Sequence, residues 1–201
     1  MTTDLHRVMH GVAIKKHGDA AAIAGIAGLP EARVAQVLAA AVTGGRIADV
    51  DGKYLLTPAG QMIVAAEYSR FCAPLRADQE FVDAYARFEV VNRDLKLLIT
   101  EWQTLEIGGK RVANDHTDQD YDERVIDRLG DLHERFEPVL QRMCASLTRL
   151  TGYRDKLGTA LERAEDGDAS WVSDARIDSY HTVWFELHED LLRLLGRTRE
   201  E

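Results

Sequence analysis

Residues 45–60, GRIADVDGKYLLTPAG, constrain this chain more than any other stretch. Two short runs, 46–50 and 53–57, flank the Asp51-Gly52 pair, the strongest short hairpin signal because both central turn positions tolerate positive φ. Pro58-Ala59-Gly60 then opens a helix through GQMIVAAEYSRF, with Thr57 as its cap. Upstream, Leu5, Val8, Met9, Val12 and Ala13 recur at helical spacing and predict a first helix that stops near Gly18. Asp19 caps a second helix, AAAIAGIA, ending about Gly28. Pro30 occupies the first turn of a third, EARVAQVLAAAVT, which ends at Gly44-Gly45. A short helix, a tight turn at Gly28 and a longer helix is the helix-turn-helix layout.

Three helices, a hairpin reading GRIADVDGKYLLT and a helix opening at PAG resemble the winged-helix domain of MarR-type bacterial regulators. The resemblance implies a winged helix-turn-helix over residues 1–73 with double-stranded DNA as its partner, the third helix in the major groove and the wing on phosphates. With Val34, Leu38 and Ala41 facing the core, the outward face of the third helix holds Arg33, Gln36, Ala40 and Thr43. Arg33 and Gln36 are then the main candidate base readers, with Thr43 beside them. Lys15, Lys16, Arg46 and Lys53 are the candidate phosphate contacts. Four cations per subunit support binding in a dimer, because each phosphate neutralised adds its own counterion-release increment. The same Ala-rich face also suits the alternative, a winged helix that docks on a partner protein and does not bind DNA.

Charge sets a limit on both readings. The 201 residues carry a formal net charge of -9, which opposes a surface that grips phosphate everywhere. The acidity is uneven, however: through Arg70, seven basic residues stand against six acidic ones, and the excess lies beyond. Cys72 and Cys144 are the two cysteines; they form neither a disulfide framework nor metal-ligand spacing, which fits a reducing compartment. No run approaches the roughly 18 apolar residues of a membrane span. MTTDLHRVMHG lacks the basic and apolar regions of an export signal, so a cytoplasmic location is expected.

Residues 74–201 read as an antiparallel helical bundle, making the chain mainly α. Pro74 breaks or kinks the preceding helix. Helices are predicted over 77–105, 121–150 with a kink at Pro138, 154–164 and 177–195. Residues 106–120, EIGGKRVANDHTDQD, read as a polar loop, and no strand pattern is evident in this part of the chain.

The bundle carries more polar and aromatic residues than packing requires. His181, Trp184, Phe185 and His188 fall at i, i+3, i+4 and i+7 on one helical face. They point to a pocket for a small effector, with Asn92, Lys96, His133, His181 and His188 as polar contacts and Trp102, Trp184 and Phe185 as walls. The alternative is that these groups hydrogen-bond between helices and hold the bundle in register. His116, His133, His181 and His188, with Asp115 or Glu189, are chemically able to bind a metal ion. No pair shows HxxxH spacing, and His181 and His188 lie about 10 Å apart along the axis, so no metal is expected.

No phosphate-binding loop, dinucleotide fingerprint, serine-hydrolase motif or Cys-His arrangement is present, so neither enzyme activity nor a cofactor is expected. NDHTDQDYD and SYHTVWFELHEDLL resemble a helical segment of actinobacterial proteins associated with phosphoenolpyruvate-utilising, dikinase-like enzymes. That resemblance implies at most an accessory role in phosphotransfer, and a partner enzyme of that kind for the docking alternative. The leading expectation is a homodimeric transcriptional regulator whose bundle dimerises and senses a small effector.

Overall fold

The computed structural model describes residues 3–198. They form ten α-helices and two separate antiparallel hairpins, and they divide into two compact units that are not consecutive in sequence. The first unit takes residues 3–79, Leu147–Gly152 and 186–198; the second takes 80–146 and 153–185. No single helix among the described residues is long and apolar enough to cross a membrane.

In the first unit, α1 (Asp4–Lys15) starts at Thr3, whose hydroxyl accepts the His6 N–H at 3.2 Å. Its buried stripe runs through Val8, Met9 and Val12. Gly11 lets α1 approach α2 (Ala20–Ala27) closely, since a Cβ there would stand 3.1 Å from the Ile23 carbonyl oxygen. Asp19 caps α2 by accepting the Ala22 N–H at 2.9 Å. Gly28, at φ +61°, ends the helix in the left-handed conformation that glycine takes without strain. Pro30 stands just before α3 (Glu31–Thr43), and the axis turns by 107° from α2 to α3. Val34, Leu38 and Ala41 turn inward, while Arg33, Gln36, Ala40 and Thr43 are exposed.

Strands β1 (Ile47–Val50) and β2 (Lys53–Leu56) pair with Ile47 opposite Leu56 and Asp49 opposite Tyr54. Asp51 and Gly52 both take positive φ, 53° and 76°, as the two-residue turn demands. An isolated antiparallel bridge joins Tyr54 to Gly18, with the Tyr54 N–H donating to the Gly18 carbonyl at 2.8 Å. The hairpin is thereby tied to the connection between α1 and α2. Thr57 caps α4 (Pro58–Phe71), accepting from Gly60 N–H at 3.1 Å and donating to the Gly45 carbonyl at 2.8 Å. Pro74 sits in the first turn of a short α5 (Ala73–Arg76), where its missing N–H costs nothing.

The second unit is built on α6 (Gln79–Gln103), α7 (Gln119–Ser146), most of α8 (Thr151–Glu165), the short α9 (Ser170–Ser173) and the start of α10 (Tyr180–Leu195). Phe81, Phe88, Leu95, Leu129, Phe136 and Trp184 lie in its core. Pro138 lies inside α7. The predicted helix over 121–150 stops at Ser146, and a 3-10 turn, Thr148–Leu150, precedes α8. The final helix begins at Tyr180, three residues later than predicted.

The expected polar loop is corrected. Strands β3 (Thr104–Ile107) and β4 (Lys110–Ala113) form a second hairpin with Leu105 opposite Val112. Gly108 and Gly109, at φ 59° and 75°, make its turn. Two consecutive glycines between short alternating runs are a hairpin signal equivalent to Asp-Gly. The predicted helix over 77–105 absorbed the first strand because helical and strand patterns both accommodate Leu105.

Candidate functional site

The residues expected to meet DNA lie in the first unit. Arg33 and Gln36 share the exposed face of α3, and the Arg33 Nη1 lies 3.4 Å from the Gln36 amide oxygen. With Asp4, Ala40 and Arg46 they line an open groove of about 400 Å³. Arg33 donates through Nε to Asp4 at 2.7 Å, and Lys53 to Asp19 at 2.7 Å. Both pairs are largely exposed, so each contributes little and exchanges readily for another anion. Lys15 differs: its Nζ is 2.7 Å from Glu186, with only 11% and 15% of the two side chains exposed. That lysine is committed to holding α1 against α10. Thr43 bonds back to the Ala39 carbonyl at 3.0 Å and remains exposed. Lys16 is exposed beside α1, and Arg46 is half-buried. The tip of the first hairpin brings two carboxylates, Asp49 and Asp51, next to Lys53 in sequence, and Asp49 accepts the Gly52 N–H at 2.9 Å.

Of the residues expected to form an effector pocket, Asn92, His133 and Trp184 are drawn into one assembly in the second unit. The Trp184 indole N–H donates to the Asn92 side-chain oxygen at 3.0 Å. Its ring is flanked by Phe136 at 4.4 Å, Phe88 at 5.1 Å and Tyr180 at 6.1 Å between centroids. Tyr180 is fully buried, and its hydroxyl lies 3.1 Å from His133 Nδ1. Burial pushes the Tyr180 phenol up and the His133 imidazole down, so a protonated phenol donates to a neutral ring. Of the proposed walls, Trp184 alone stands in this assembly, and other rings close around it. Lys96 is exposed, Phe185 is 43% exposed, and His181 is half-buried with burial lowering its pKa. Trp102 packs elsewhere, against His116 at 4.5 Å. His188 is buried in the first unit.

His116 belongs to a small cluster around that tryptophan. Its Nδ1 is 2.8 Å from the Asp122 carboxylate, and Asn114 donates to Asp122 at 3.0 Å and to the Trp102 carbonyl at 3.0 Å. The cluster closes the second hairpin onto the N-terminus of α7. Among the described residues, no group of three His, Cys, Asp or Glu side chains converges as a metal-ligand set.

Sequence reasoning missed the most deeply buried polar network of the first unit. Asp190, on α10, is wholly buried and accepts from Arg149 at 2.5 and 2.7 Å and from His10 Nε2 at 2.9 Å. Tyr68, on α4, lies 2.7 Å from His10 Nδ1. Burial by itself would raise the Asp190 carboxyl, but Arg149 and His10 outweigh it and hold it well below the usual carboxylate range. An ionised carboxylate can only accept, so His10 carries its proton on Nε2 and takes the Tyr68 O–H on Nδ1. The signal available in sequence was His6 and His10 on the apolar face of α1. His6 pairs with Glu67 at 3.0 Å. His10, Tyr68 and Asp190 are buried and the Arg149 side chain is only 8% exposed, so the network is cement between α1, α4, α10 and the turn at Arg149.

Compared with protein-family models, curated proteins and solved structures, the chain has no match.

Proposed function

We propose that the first unit is a winged helix that binds duplex DNA as one half of a dimeric transcriptional regulator. One observation carries this reading. The 107° turn from α2 to α3 comes with a hairpin bridged back to the α1–α2 connection through Gly18 and Tyr54. That combination leaves α3 with an outward face bearing Arg33 and Gln36 and packs β1 of the hairpin against it, with Lys53 on the neighbouring strand. Arg33 and Gln36 have the side chains that read guanine and adenine edges in the major groove. Arg33 and Lys53 are held in exposed ion pairs, each worth about 0.2–1 kcal/mol, so phosphate can displace Asp4 and Asp19 at small cost. With Lys15 committed to Glu186, the contact set narrows to Lys16, Arg33, Gln36, Thr43, Arg46 and Lys53. So small a set makes the dimer necessary.

The test is binding of the full chain to duplex DNA from its own upstream region, followed by anisotropy across a salt series. Binding that weakens with salt is expected, with a log–log slope of about −0.9 for each phosphate neutralised. Lys53→Ala reduces that slope by about 1, while Arg33→Ala relaxes sequence preference. A folded protein with no salt-sensitive binding at low ionic strength overturns the reading.

A second reading is favoured by the exposed alanines of α3, Ala32, Ala35, Ala39 and Ala40, and by the carboxylates at the wing tip. They suit docking on a partner protein. In that case Arg33→Ala and Lys53→Ala leave function unchanged, and Ala40→Glu abolishes partner capture. In either reading the second unit serves to pair two copies. An effector acting at Asn92 and His133 would first have to displace Trp184 and Tyr180.

A further inference from the structure

The exposed side of α6 has an internal symmetry that its own fold does not use. Val90 and Leu97 are 50% and 65% exposed. They stand two turns apart, about 10 Å along the helix, on one stripe with Ala86 and Arg93. Between Arg87 and Glu101 the charges bordering this stripe change sign once, and the exposed Asp83 precedes them by one turn. Arg87 and Arg93 lie towards the N-terminal half, Asp94 and Glu101 towards the C-terminal half. The two carboxylates are fixed by α7, Asp94 by Arg135 at 3.1 Å and Glu101 by Arg128. Neither Arg87 nor Arg93 has an ion-pair partner among the described residues. Beside Leu97 an open groove of about 560 Å³, floored by Leu98 and Leu132, runs between α6 and α7.

We infer that this face binds a second copy of the chain, with the two α6 helices antiparallel and the two-fold axis passing between Arg93 and Asp94. In that register Val90 meets the partner's Leu97 at the mouth of the groove, Arg93 meets the partner's Asp94, and Arg87 reaches the partner's Glu101. Each contact occurs twice, as an isologous interface requires. A parallel pairing would set Arg93 against the same residue of the partner and forfeit the complementarity. Charge therefore selects both the occupant and its direction: Arg93 and Arg87 match the Asp94 and Glu101 of a second copy, and the apolar pair is equidistant from the centre. This contact supplies the dimer that DNA binding needs, but it rests on the α6 surface alone.

Sedimentation equilibrium of the full chain without DNA, with circular dichroism as the check on folding, tests it. The natural sequence is expected to show a concentration-dependent dimer. Leu97→Glu, at an exposed position, is expected to be folded and monomeric. Arg93→Glu and Asp94→Lys should each raise the dimer Kd at least about tenfold by setting like charges opposite one another. The double variant, and an equimolar mixture of the two single variants, should recover dimerisation, because both restore opposite signs across the axis. A monomer at every concentration overturns the inference, as it would if another protein occupied this face. So does a dimer that survives Leu97→Glu, or a double variant no better than the singles. A chain that dimerises through α6 without binding DNA keeps this inference and sinks the regulator reading.

Discussion

Asp190 shows what a single buried charge demands of its surroundings. A carboxylate removed from water has to be compensated by donors, and three N–H groups from Arg149 and His10 converge on its two oxygens. Removing the carboxylate strands Arg149, whose side chain is only 8% exposed. Asp190→Ala should therefore cost about 3–5 kcal/mol, the range for breaking a buried pair, read from urea unfolding. Glu67→Ala, which removes the partly exposed partner of His6, should cost clearly less. Near-equal losses would mean that the Asp190 network is not the stronger tie. Sequence reveals the polar residues on the apolar face of α1, but Asp190 is 180 positions from His10, and no local pattern encodes that separation. Trp184 and Asn92 are each legible as candidate pocket residues, but their pairing is not. Whether they lined a pocket or filled a core depended on the rings that close around the indole.

Among the elements, those specified by local chemistry match their sequence signals most closely. Asp19, Gly28, Asp51-Gly52 and Thr57 each act through their own backbone or the next few residues, so a cap or a turn is readable without knowing the fold. The Gly18–Tyr54 bridge joins segments about 36 residues apart and carries no such signal. Gly60 combines both levels. It lies in the first turn of α4, where any helix-forming residue would serve, yet a Cβ there would overlap the Arg46 carbonyl oxygen just before β1. Gly60→Ala should destabilise the first unit by roughly 1–3 kcal/mol, the range for overpacking, despite alanine's higher helix propensity. A thermal midpoint equal to or above that of the natural sequence would show that α4 can shift away from the hairpin freely. The second hairpin escaped notice for a different reason: Gly108-Gly109 is as good a turn as Asp51-Gly52, but it follows a long helical pattern that runs into its first strand.

For the whole molecule, titration gives a signed expectation. His6, His10, His133 and His181 all lie below the ordinary histidine value, with burial the largest cause in each. Below about pH 6.5 the unfolded chain takes up protons that the folded chain resists, so stability is full above that value and falls with decreasing pH. The slope reaches at most about 1.4 kcal/mol per pH unit for each histidine. Asp190 adds a loss of the same sign below about pH 3.9, the unfolded carboxylate value. The urea midpoint should therefore fall between about pH 7.5 and pH 5.5; a midpoint that stays flat or rises would contradict the burial of these rings. Sequence by itself determined the mainly helical class, the order of the first helices, the first hairpin and its turn, and the uneven placement of charge. Each of these follows from periodicity, capping or composition within a few residues. Only the tertiary structure decided that 147–152 and 186–198 join the N-terminal elements in one compact unit, that Lys15 is committed to Glu186, and that Trp184 is walled in by rings. Those outcomes depend on contacts between distant segments, where burial and charge compensation select the partner and local propensity is silent.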